Sequence, residues 1–313
     1  MHDAREQDDP QVLALFHEVF GHAMPPQQWR WKYADAPHRG VLLRREGRVV
    51  AFYGGVPRAV QGPRGTHLAV QNGDVMVQPD ERGVFTRRGA IYHVTEAFLS
   101  RHIGPGRAYE FGFGFPNERA FGVASRQGLY IEGDRLQTLT WSPLAGAPPS
   151  WWVREVAAGA AQLRAVDRLW RRMARDWRGL YIPVRDQARW RYRFLDAPGS
   201  HYQLLLVKHR LRGALAAVAL REHPGHVEWL DYAGSRAAIG HAVAAVRRFA
   251  GQRGGKPVSG LFSQSIAADF AGEAASREPS NIVIPLRAPE PGWPQPYPWA
   301  GRLWLMGGDT DFL

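Results

Sequence analysis

One arrangement of hydrophobic and polar positions occurs twice in the chain. Residues 29–37 read WRWKYADAP and residues 190–198 read WRYRFLDAP, with Trp, Arg, Asp, Ala and Pro at matching places. Two apolar runs around a polar turn follow each segment, VLLRREGRVVAFYGGV after the first and YQLLLVKHRLRGALAAVAL after the second. Runs of this kind predict pairs of strands. The chain is therefore predicted to contain two copies of one unit.

A segment rich in proline and glycine separates the two copies. Residues 142–150 read SPLAGAPPS, which is the composition of a linker. Over 151–177 apolar residues recur every three or four positions, which predicts an amphipathic helix with a basic face. Such a helix can lie on a membrane or pack between the two domains with its basic face in solvent, and we favour packing. We predict an N-terminal domain over 1–145, a linker and bridging helix over 146–180, and a C-terminal domain over 181–313.

In the first copy, a strand leads through a short turn into a helix. The run HLAVQNGDVMVQP predicts a strand that Pro79 ends, and the apolar spacing from Val84 to about His102 predicts a helix. Free backbone N–H groups and the positive end of the helix dipole meet at such a turn, so it can hold a phosphate. Gly83 allows close approach of the backbone and Arg82 adds charge. The alternative is an ordinary strand-to-helix connection.

The next segment of the first copy predicts a second strand and helix. Residues 109–115, YEFGFGF, alternate in the manner of a strand. Pro116 and Asn117 then begin a helix, which Gly128 ends before another strand starts at Leu129.

The second copy keeps this plan without the Pro-x-x-Arg-Gly element. Its predicted strand, HVEWLDYA, leads through GSRAAIG into the helix HAVAAVRRFAGQRG. The segment GLFSQS at 260–265 corresponds to the strand end FGFGFPN of the first copy. The last residues, RLWLMGGDTDFL, predict a strand that closes the second sheet.

Composition limits the class of protein. The chain has 313 residues, 45% of them hydrophobic, which suits a globular protein of about two domains. It has no cysteine, so disulfides, thiolate metal sites and a cysteine nucleophile are excluded. The longest apolar stretch, GALAAVAL, is too short to span a bilayer, and the N-terminus lacks the pattern of a signal peptide. We expect a cytoplasmic protein without membrane insertion.

The net charge of +11 comes almost entirely from arginine, because lysine occurs only at 32, 208 and 256. Together with much Ala, Gly and Pro, this pattern is typical of a GC-rich genome. No block of five or six like charges marks a nucleic-acid-binding tail. We favour scattered, solvated arginines over an anionic ligand or polymer, and nucleic acid is not an expected partner.

The motifs of the first copy carry a family resemblance. Val77 to Gly83 reads V-x-P-x-x-R-G after a strand, and Asn117, Ala120 and the Gly-Leu-Tyr of 128–130 follow some thirty residues on. This pattern resembles the pyrophosphate-binding and second motifs of the GNAT superfamily of acyl-CoA-dependent N-acyltransferases. The resemblance implies an α/β (mixed α+β) fold of two GNAT-like units, each with a mixed, mostly antiparallel central sheet flanked by helices. The second copy is then a degenerate one.

The resemblance also implies an activity and a coenzyme site. The implied reaction moves an acetyl or other acyl group from acyl-CoA, as co-substrate, to an amine of a small molecule or peptide. The amine attacks the thioester directly while a backbone amide of the predicted strand polarises the carbonyl oxygen. Residues assigned to the coenzyme on this basis are Val75, Met76, Val77, Arg82, Gly83, Val84, Phe85, Thr86 and Asn117.

Two positions depart from the family pattern and direct the choice of catalytic candidates. Phe85 stands where the family usually has a second glycine. Ala124 stands where many members have a tyrosine that protonates the leaving thiolate. Tyr130 is the nearest substitute for that tyrosine as proton donor, although a core role is its alternative. Asp74 and Glu110, on neighbouring predicted strands, are the candidate bases, with a solvated or paired strand residue as the alternative for each.

Other chemistry leaves no comparable signal. The sequence has no P-loop, no complete dinucleotide fingerprint and no Gly-x-Ser-x-Gly elbow. His223 and His226 flank a Pro-Gly turn too short and isolated for a metal site, so no metal is predicted. Two alternative functions stay open, namely a non-catalytic GNAT-fold module that binds a small molecule or partner protein, and an aminoacyl-tRNA-dependent transferase. Peptidoglycan aminoacyl transferases also use paired GNAT-like units.

Overall fold

A computed structural model describes residues 1–82, 89–146, 151–155, 160–199, 201–272, 275–290, 292–293 and 297–310. The chain divides into two units, each discontinuous along the sequence. The first consists of Met1–Ala59, Thr66–Gly133 and Ile282–Ala300, and the second of Val60–Gly65, Asp134–Asn281 and Gly301–Leu313. The predicted domain boundaries, in contrast, follow the chain continuously.

The first unit is built on one sheet with helices against it. Its elements are β1 (His2–Asp3), α1 (Asp9–Phe20), α2 (Pro26–Tyr33), β2 (Gly40–Arg45), β3 (Arg48–Gly62), β4 (Gly65–Val77), α3 (Ala90–His102), β5 (Phe111–Gly114), α4 (Glu118–Arg126) and the start of β6 (Tyr130–Trp141). The strand order is β1-β2-β3-β4-β5. β2 runs antiparallel to β1 and β3, whereas β5 runs parallel to β4.

Strand alternation gives this sheet two buried faces. Phe52 and Tyr53 are neighbours on β3 and point to opposite sides, as a strand requires. Phe52 packs with Trp29 and other residues of α1 and α2, and Tyr53 packs with Phe98 and other residues of α3. The predicted polar turn between β2 and β3 is formed by Glu46 and Gly47, which both have positive φ, 49° and 79°. Such a two-residue turn matches the twist of a hairpin.

The second unit is built on a longer sheet. Its elements are β7 (Trp151–Glu155), α5 (Ala160–Asp176), β8 (Ile182–Pro183), α6 (Gln187–Trp190) with a π-helical turn (Arg191–Leu195), β9 (Gln203–His209), β10 (Gly213–Glu222), β11 (Val227–Gly234), α7 (Ile239–Gln252), β12 (Val258–Ser263), α8 (Gln264–Ala271) and β13 (Ala275–Arg287). The strand order is β13-β6-β12-β11-β10-β9-β7. β11 and β12 are parallel, and β7, β9, β10 and β11 are successively antiparallel.

The two units follow one plan, as the repeat predicts. In each, a helical segment holding the repeated sequence precedes an antiparallel hairpin, then a strand, a long helix and a strand parallel to the preceding one. The repeated segments have the same buried side chains, since Trp29 and Trp190 are 1% and 0% exposed and Tyr33 and Phe194 are 0% and 3% exposed. The predicted fold class, with two mixed sheets flanked by helices, is confirmed.

The segment after the linker differs from its prediction. Residues 151–155 form β7 and pair with β9, and the helix α5 begins only at Ala160. Trp-Trp-Val favours a strand because bulky and β-branched residues suit a pleated surface, and pairing with β9 satisfies the backbone there. α5 packs against protein, since Leu163, Val166 and Met173 are buried in the cores of the second unit, and its predicted bridging role stays a prediction. Its arginines at 164, 168, 171 and 175 are exposed.

Two further elements differ from their predictions, namely the start of α3 and the closing strand. The helix predicted from Val84 begins at Ala90, and residues 83–88 lie outside the described part of the chain. The predicted closing strand is wrong for the described residues 302–310, which make isolated bridges at Leu303 and Met306 and then a short helical turn, Gly307–Asp309. Two consecutive glycines interrupt the strand pattern there. Among the described residues, no helix is long and apolar enough to cross a membrane.

Candidate functional site

The candidate site of the first unit lies where β4 and β5 part. The two strands pair in parallel from Ala69 opposite Phe111 to Asn72 opposite Gly114. β5 ends at Gly114, whereas β4 continues to Val77. The last five residues of β4 therefore extend past the end of β5. An extended ligand can add to such a strand edge through main-chain hydrogen bonds.

Asp74 bends β4 at this place. It has a φ of 50°, a left-handed conformation that is rare for a residue other than glycine inside a strand. Its carboxylate accepts hydrogen bonds from Lys32 Nζ at 2.9 Å and from the Tyr33 hydroxyl at 2.6 Å. The Lys32 and Asp74 side chains are only 8% and 7% exposed. Two side chains of α2 thus hold the bent residue, and its carboxylate is already paired.

Within the described part of the chain, no strand pairs with the three residues after the bend on the β5 side of β4. Met76 is fully buried among side chains of α1, α2 and β3, whereas Val75 is 39% exposed. Val77 packs with the α3 cluster, and its carbonyl oxygen accepts a hydrogen bond from Arg82 Nε at 3.2 Å. The remaining loop candidates, Gly83, Val84, Phe85 and Thr86, lie outside the described residues, and their assignment stays a prediction.

Asn72 has a buried polar atom at the last paired position of β4. It occupies the last paired position of β4 and is 7% exposed, and its Oδ1 is buried without a hydrogen-bond partner among the described residues. A buried acceptor left unpaired costs about 1–3 kcal/mol. An amide N–H of an extended ligand laid along β4 would satisfy it. Sequence reasoning passed over this asparagine, because an isolated polar residue in a strand carries no distinguishing signal.

Asn117 caps α4 at the same edge of the sheet. Its Oδ1 accepts a hydrogen bond from the backbone N–H of Ala120 at 2.9 Å, so it is the N-cap of the helix that follows β5. The preceding Pro116 accepts a hydrogen bond from Val283 N–H at 3.0 Å, which fixes the end of β5. The structure thus brings Asn117 to the end of the sheet at which β4 runs free.

Glu110 lies at the other end of the parallel pair. Its backbone N–H donates to Leu68 O, and its half-exposed carboxylate lies 2.6 Å from His67 Nδ1. Seven residues separate Leu68 from Val75 on β4, which is about 23 Å at 3.3 Å per strand residue. The structure does not bring Glu110 together with the other candidates.

Tyr130 lies in the core at the start of β6. Its hydroxyl hydrogen-bonds the hydroxyl of Tyr53 on β3, and the two side chains are 9% and 0% exposed. Burial raises the pKa of Tyr130 to about 12, although the hydrogen bond from Tyr53 works in the opposite direction. Burial and the neighbouring Tyr130 raise the pKa of Tyr53 well above its ordinary value. Both phenols are therefore protonated at neutral pH.

In the second unit, another segment of the chain lies between the two corresponding strands, β11 and β12, beyond the positions at which they pair. β11 and β12 pair in parallel at two positions, Val227–Val258 and Glu228–Ser259. Farther along, Ser263 N–H of β12 donates to Leu305 O at 2.9 Å. On the β11 side, Gly308 approaches so closely that an added Cβ would lie 2.8 Å from Leu230 O. Residues 303–308 thus lie between these two strands.

A buried charge network holds this inserted segment. Arg185, 1% exposed, donates from Nε to the Asp231 carboxylate of β11 at 2.7 Å and from Nη2 to the Asp309 carboxylate. Arg193 Nε donates to Gly308 O at 3.0 Å. Arg193 is aligned with Lys32 in the sequence repeat, and both basic side chains are buried. That match is the sequence signal that could have drawn attention to Lys32, which was not a predicted site residue.

Residues 1–121 match the family model of an acetyltransferase (GNAT) domain. No curated protein sequence matches the chain. The match bears out the GNAT resemblance for the first 121 residues, and the two-unit fold fits a tandem arrangement.

Solved structures with this fold include a probable N-acyltransferase of unknown function from Enterococcus faecalis V583, at a TM-score of 0.67 and 14% identity over 92% of this chain and 71% of that one. A GCN5-related N-acetyltransferase from Anabaena variabilis gives a TM-score of 0.64 and 14% identity over 91% and 71% of the respective chains. N-myristoyltransferase from Saccharomyces cerevisiae with bound myristoyl-CoA gives 0.53 and 8% identity over 90% and 80%.

Proposed function

We propose that this protein is an N-acyltransferase that moves an acetyl or other acyl group from acyl-CoA to an amine of a small molecule or peptide. The observation that carries the proposal is the free end of β4. It extends past β5 and is bent at Asp74, and it belongs to the part of the chain that matches an acetyltransferase domain.

The proposed coenzyme site runs along this strand edge. The backbone of Val75 to Val77 would pair with the extended pantetheine arm, and Asn72 Oδ1 would accept one of its amide N–H groups. Arg82 and the loop from Gly83 to Thr86 would meet the pyrophosphate ahead of the N-terminus of α3. Asn117 would act by fixing α4 beside the arm.

In the proposed reaction the amine nitrogen attacks the thioester carbon. The C–N bond forms, the C–S bond breaks, and the amine loses a proton while the departing thiolate gains one. A backbone N–H of the strand after Asp74 would stabilise the negative charge that develops on the carbonyl oxygen. Because Lys32 and Tyr33 already pair the Asp74 carboxylate, we assign Asp74 to holding the strand bend. Water then carries the amine proton away.

Tyr130 is the proposed proton donor to the thiolate. It keeps its proton at neutral pH, and the hydroxyl of Tyr53 is placed to donate a hydrogen bond to the phenolate that proton transfer would leave. Glu110 has no part in the proposed reaction because it lies at the far end of β5.

Acetyl-CoA binding measured by calorimetry tests the proposal. Gly83→Val would force a side chain toward the pyrophosphate, and we expect at least a tenfold loss of affinity. The matched control is Gly240→Val on α7, where an added Cβ meets nothing within 4 Å. Gly234 would be a poor control, because its Cβ would lie 2.6 Å from the Tyr232 hydroxyl.

The same titration separates this function from its rivals. Wild-type protein that binds neither acetyl-CoA nor a longer acyl-CoA would contradict the coenzyme site and leave a non-catalytic binding module or an aminoacyl-tRNA-dependent transferase. Equal losses in the two variants would show that the loop at Gly83 has no special role.

A further inference from the structure

Three potential metal ligands from separate parts of the first unit meet at one place. They are Asp3 on β1, His38 in the segment before β2, and His102 at the end of α3. Their ligand atoms all lie within 4.8 Å of one another. No sequence pattern predicts this cluster, since its members are 35 and 64 residues apart and follow no metal-binding spacing.

His102 is the buried member, and its Nε2 has only a long contact to the Asp3 carboxylate. The residue is 5% exposed, and Nε2 is buried without a hydrogen-bond partner among the described residues. Asp3 Oδ1 lies 3.4 Å from it, which is long for a hydrogen bond. Leaving such a nitrogen buried and unpaired costs about 1–3 kcal/mol. The atom therefore points to a ligand.

The separation between these two atoms suits a bound ion. Two ligand atoms at about 2.0–2.1 Å from a tetrahedral zinc ion lie about 3.3–3.4 Å apart, and Asp3 Oδ1 and His102 Nε2 are 3.4 Å apart. The His38 ring lies against that of His102, with ring centroids 4.5 Å apart and an angle of 27° between the planes. The two rings are thus stacked, and each offers a ring nitrogen within 4.8 Å of the other ligand atoms.

We propose that Asp3, His38 and His102 bind one divalent transition-metal ion, with zinc as the best match to two imidazoles and one carboxylate. Three protein ligands leave a fourth position for water or another small ligand. The ion would tie β1 and the segment before β2 to the end of α3. The site is separate from the β4 edge and does not depend on the acyltransferase proposal.

Asp3 is the accessible member of the cluster, and one neighbour opposes a cation there. Its side chain is 43% exposed and, with Arg5 and Arg101, lines a cavity of about 490 Å³ that neither histidine of the cluster lines. Arg101 Nη1 lies 3.0 Å from Asp3 Oδ1, so a guanidinium competes for the same carboxylate. Its positive charge should weaken binding of a cation, and removing that charge should strengthen it.

Calorimetric titration of the full chain, without an affinity tag, tests the site with Zn²⁺ and Co²⁺. We expect one ion per chain and, for Co²⁺, a visible absorption spectrum of a nitrogen- and oxygen-bound ion. His38→Ala and His102→Ala should each weaken binding at least tenfold, and Arg101→Met should strengthen it severalfold. Because His102 is buried and its variant is the one at risk of misfolding, the half-buried His38 gives the second, independent test.

His226→Ala is the matched control. His223 and His226 form another stacked pair, with ring centroids 4.4 Å apart and Glu228 close by, in the second unit. This variant should bind the ion as the wild type does. Absence of stoichiometric binding, binding that His38→Ala and His102→Ala leave unchanged, or equal loss in His226→Ala would each overturn the proposal. Acetyl-CoA titration of the same variants reports the acyltransferase proposal separately.

Discussion

Lys32 and Asp74 form a buried ion pair between α2 and the bend of β4, with Nζ 2.9 Å from Oδ1 and 2.8 Å from Oδ2. The Tyr33 hydroxyl adds a third contact to the same carboxylate. The pair holds a residue of positive φ immediately before the backbone groups proposed to bind coenzyme. An interaction that joins the first helical segment of the repeat to the site therefore determines the shape of the site.

Lys32→Met should lower the free energy of unfolding by about 3 kcal/mol, because it leaves a buried carboxylate without its cation. Chemical denaturation measures the effect. The matched control is Arg45→Met, which removes a partly exposed pair with Glu81 and should cost no more than about 1 kcal/mol. Equal stability of the two variants would show that the Lys32 pair does not hold the strand.

Asp74→Asn separates a positioning role from a catalytic one. If Asp74 positions the strand, Asp74→Asn and Lys32→Met should both weaken acetyl-CoA binding, because both disturb the bend. If Asp74 is the base, Asp74→Asn should lower kcat at least 100-fold while the Kd for acetyl-CoA stays at the wild-type value. We expect the first pattern, and direct binding with steady-state kinetics distinguishes the two.

The Tyr53–Tyr130 pair predicts a non-additive double-mutant cycle. Tyr53→Phe or Tyr130→Phe alone leaves the other buried hydroxyl unpaired, at a cost of about 1–2 kcal/mol in unfolding free energy. The double variant removes both hydroxyls, so its cost should fall below the sum of the single costs.

The same variants test the proposed catalytic role: Tyr130→Phe should lower kcat at least tenfold and Tyr53→Phe should lower it less. Equal kcat for wild type and Tyr130→Phe would exclude Tyr130 as the proton donor.

Tyr130 also predicts a loss of stability in alkaline solution. Its pKa is about 12 in the folded protein and about 10 in an unfolded chain, so the unfolded state loses the proton first. The contribution of Tyr130 to the free energy of unfolding is fully present below pH 10. It should fall by about 2–3 kcal/mol as the pH rises from 10 to 12. Tyr130→Phe should show a shallower decline. Denaturation at a series of pH values measures it, and parallel slopes would contradict the buried position.

The repeat made the plan of the fold predictable, because WRWKYADAP and WRYRFLDAP contain the side chains that each unit buries. Trp29 and Trp190 are core residues, and the turn at Glu46 follows from local chemistry. The site was less predictable. Its loop was recognised by motif, but the contacts of Lys32 and Asn72 depend on elements distant in sequence. Hydrophobic periodicity alone also predicted a helix at 151–155. In the structure these residues form a strand because they pair with β9.

The Arg185 network predicts that the C-terminal segment stabilises the second unit. Arg185 contacts Asp231, Asp309 and the carbonyl of Pro183, and its guanidinium lies 4.4 Å from the ring centre of Trp304. Asp309→Ala removes one of two carboxylates around a buried guanidinium and should cost about 3 kcal/mol in unfolding free energy.

Hydrogen exchange should show where that cost falls. In Asp309→Ala, amides of residues 303–310 should exchange faster than in the wild type, because the segment loses its anchor between β11 and β12. Asp269→Ala, which removes an exposed pair with Arg236, is the control and should cost no more than about 1 kcal/mol. Acetyl-CoA should still bind once per chain in both variants, since the proposed coenzyme edge lies on β4. A second equivalent bound by Asp309→Ala would mean that the segment masks a competent coenzyme site, contrary to the assignment of the second unit as degenerate.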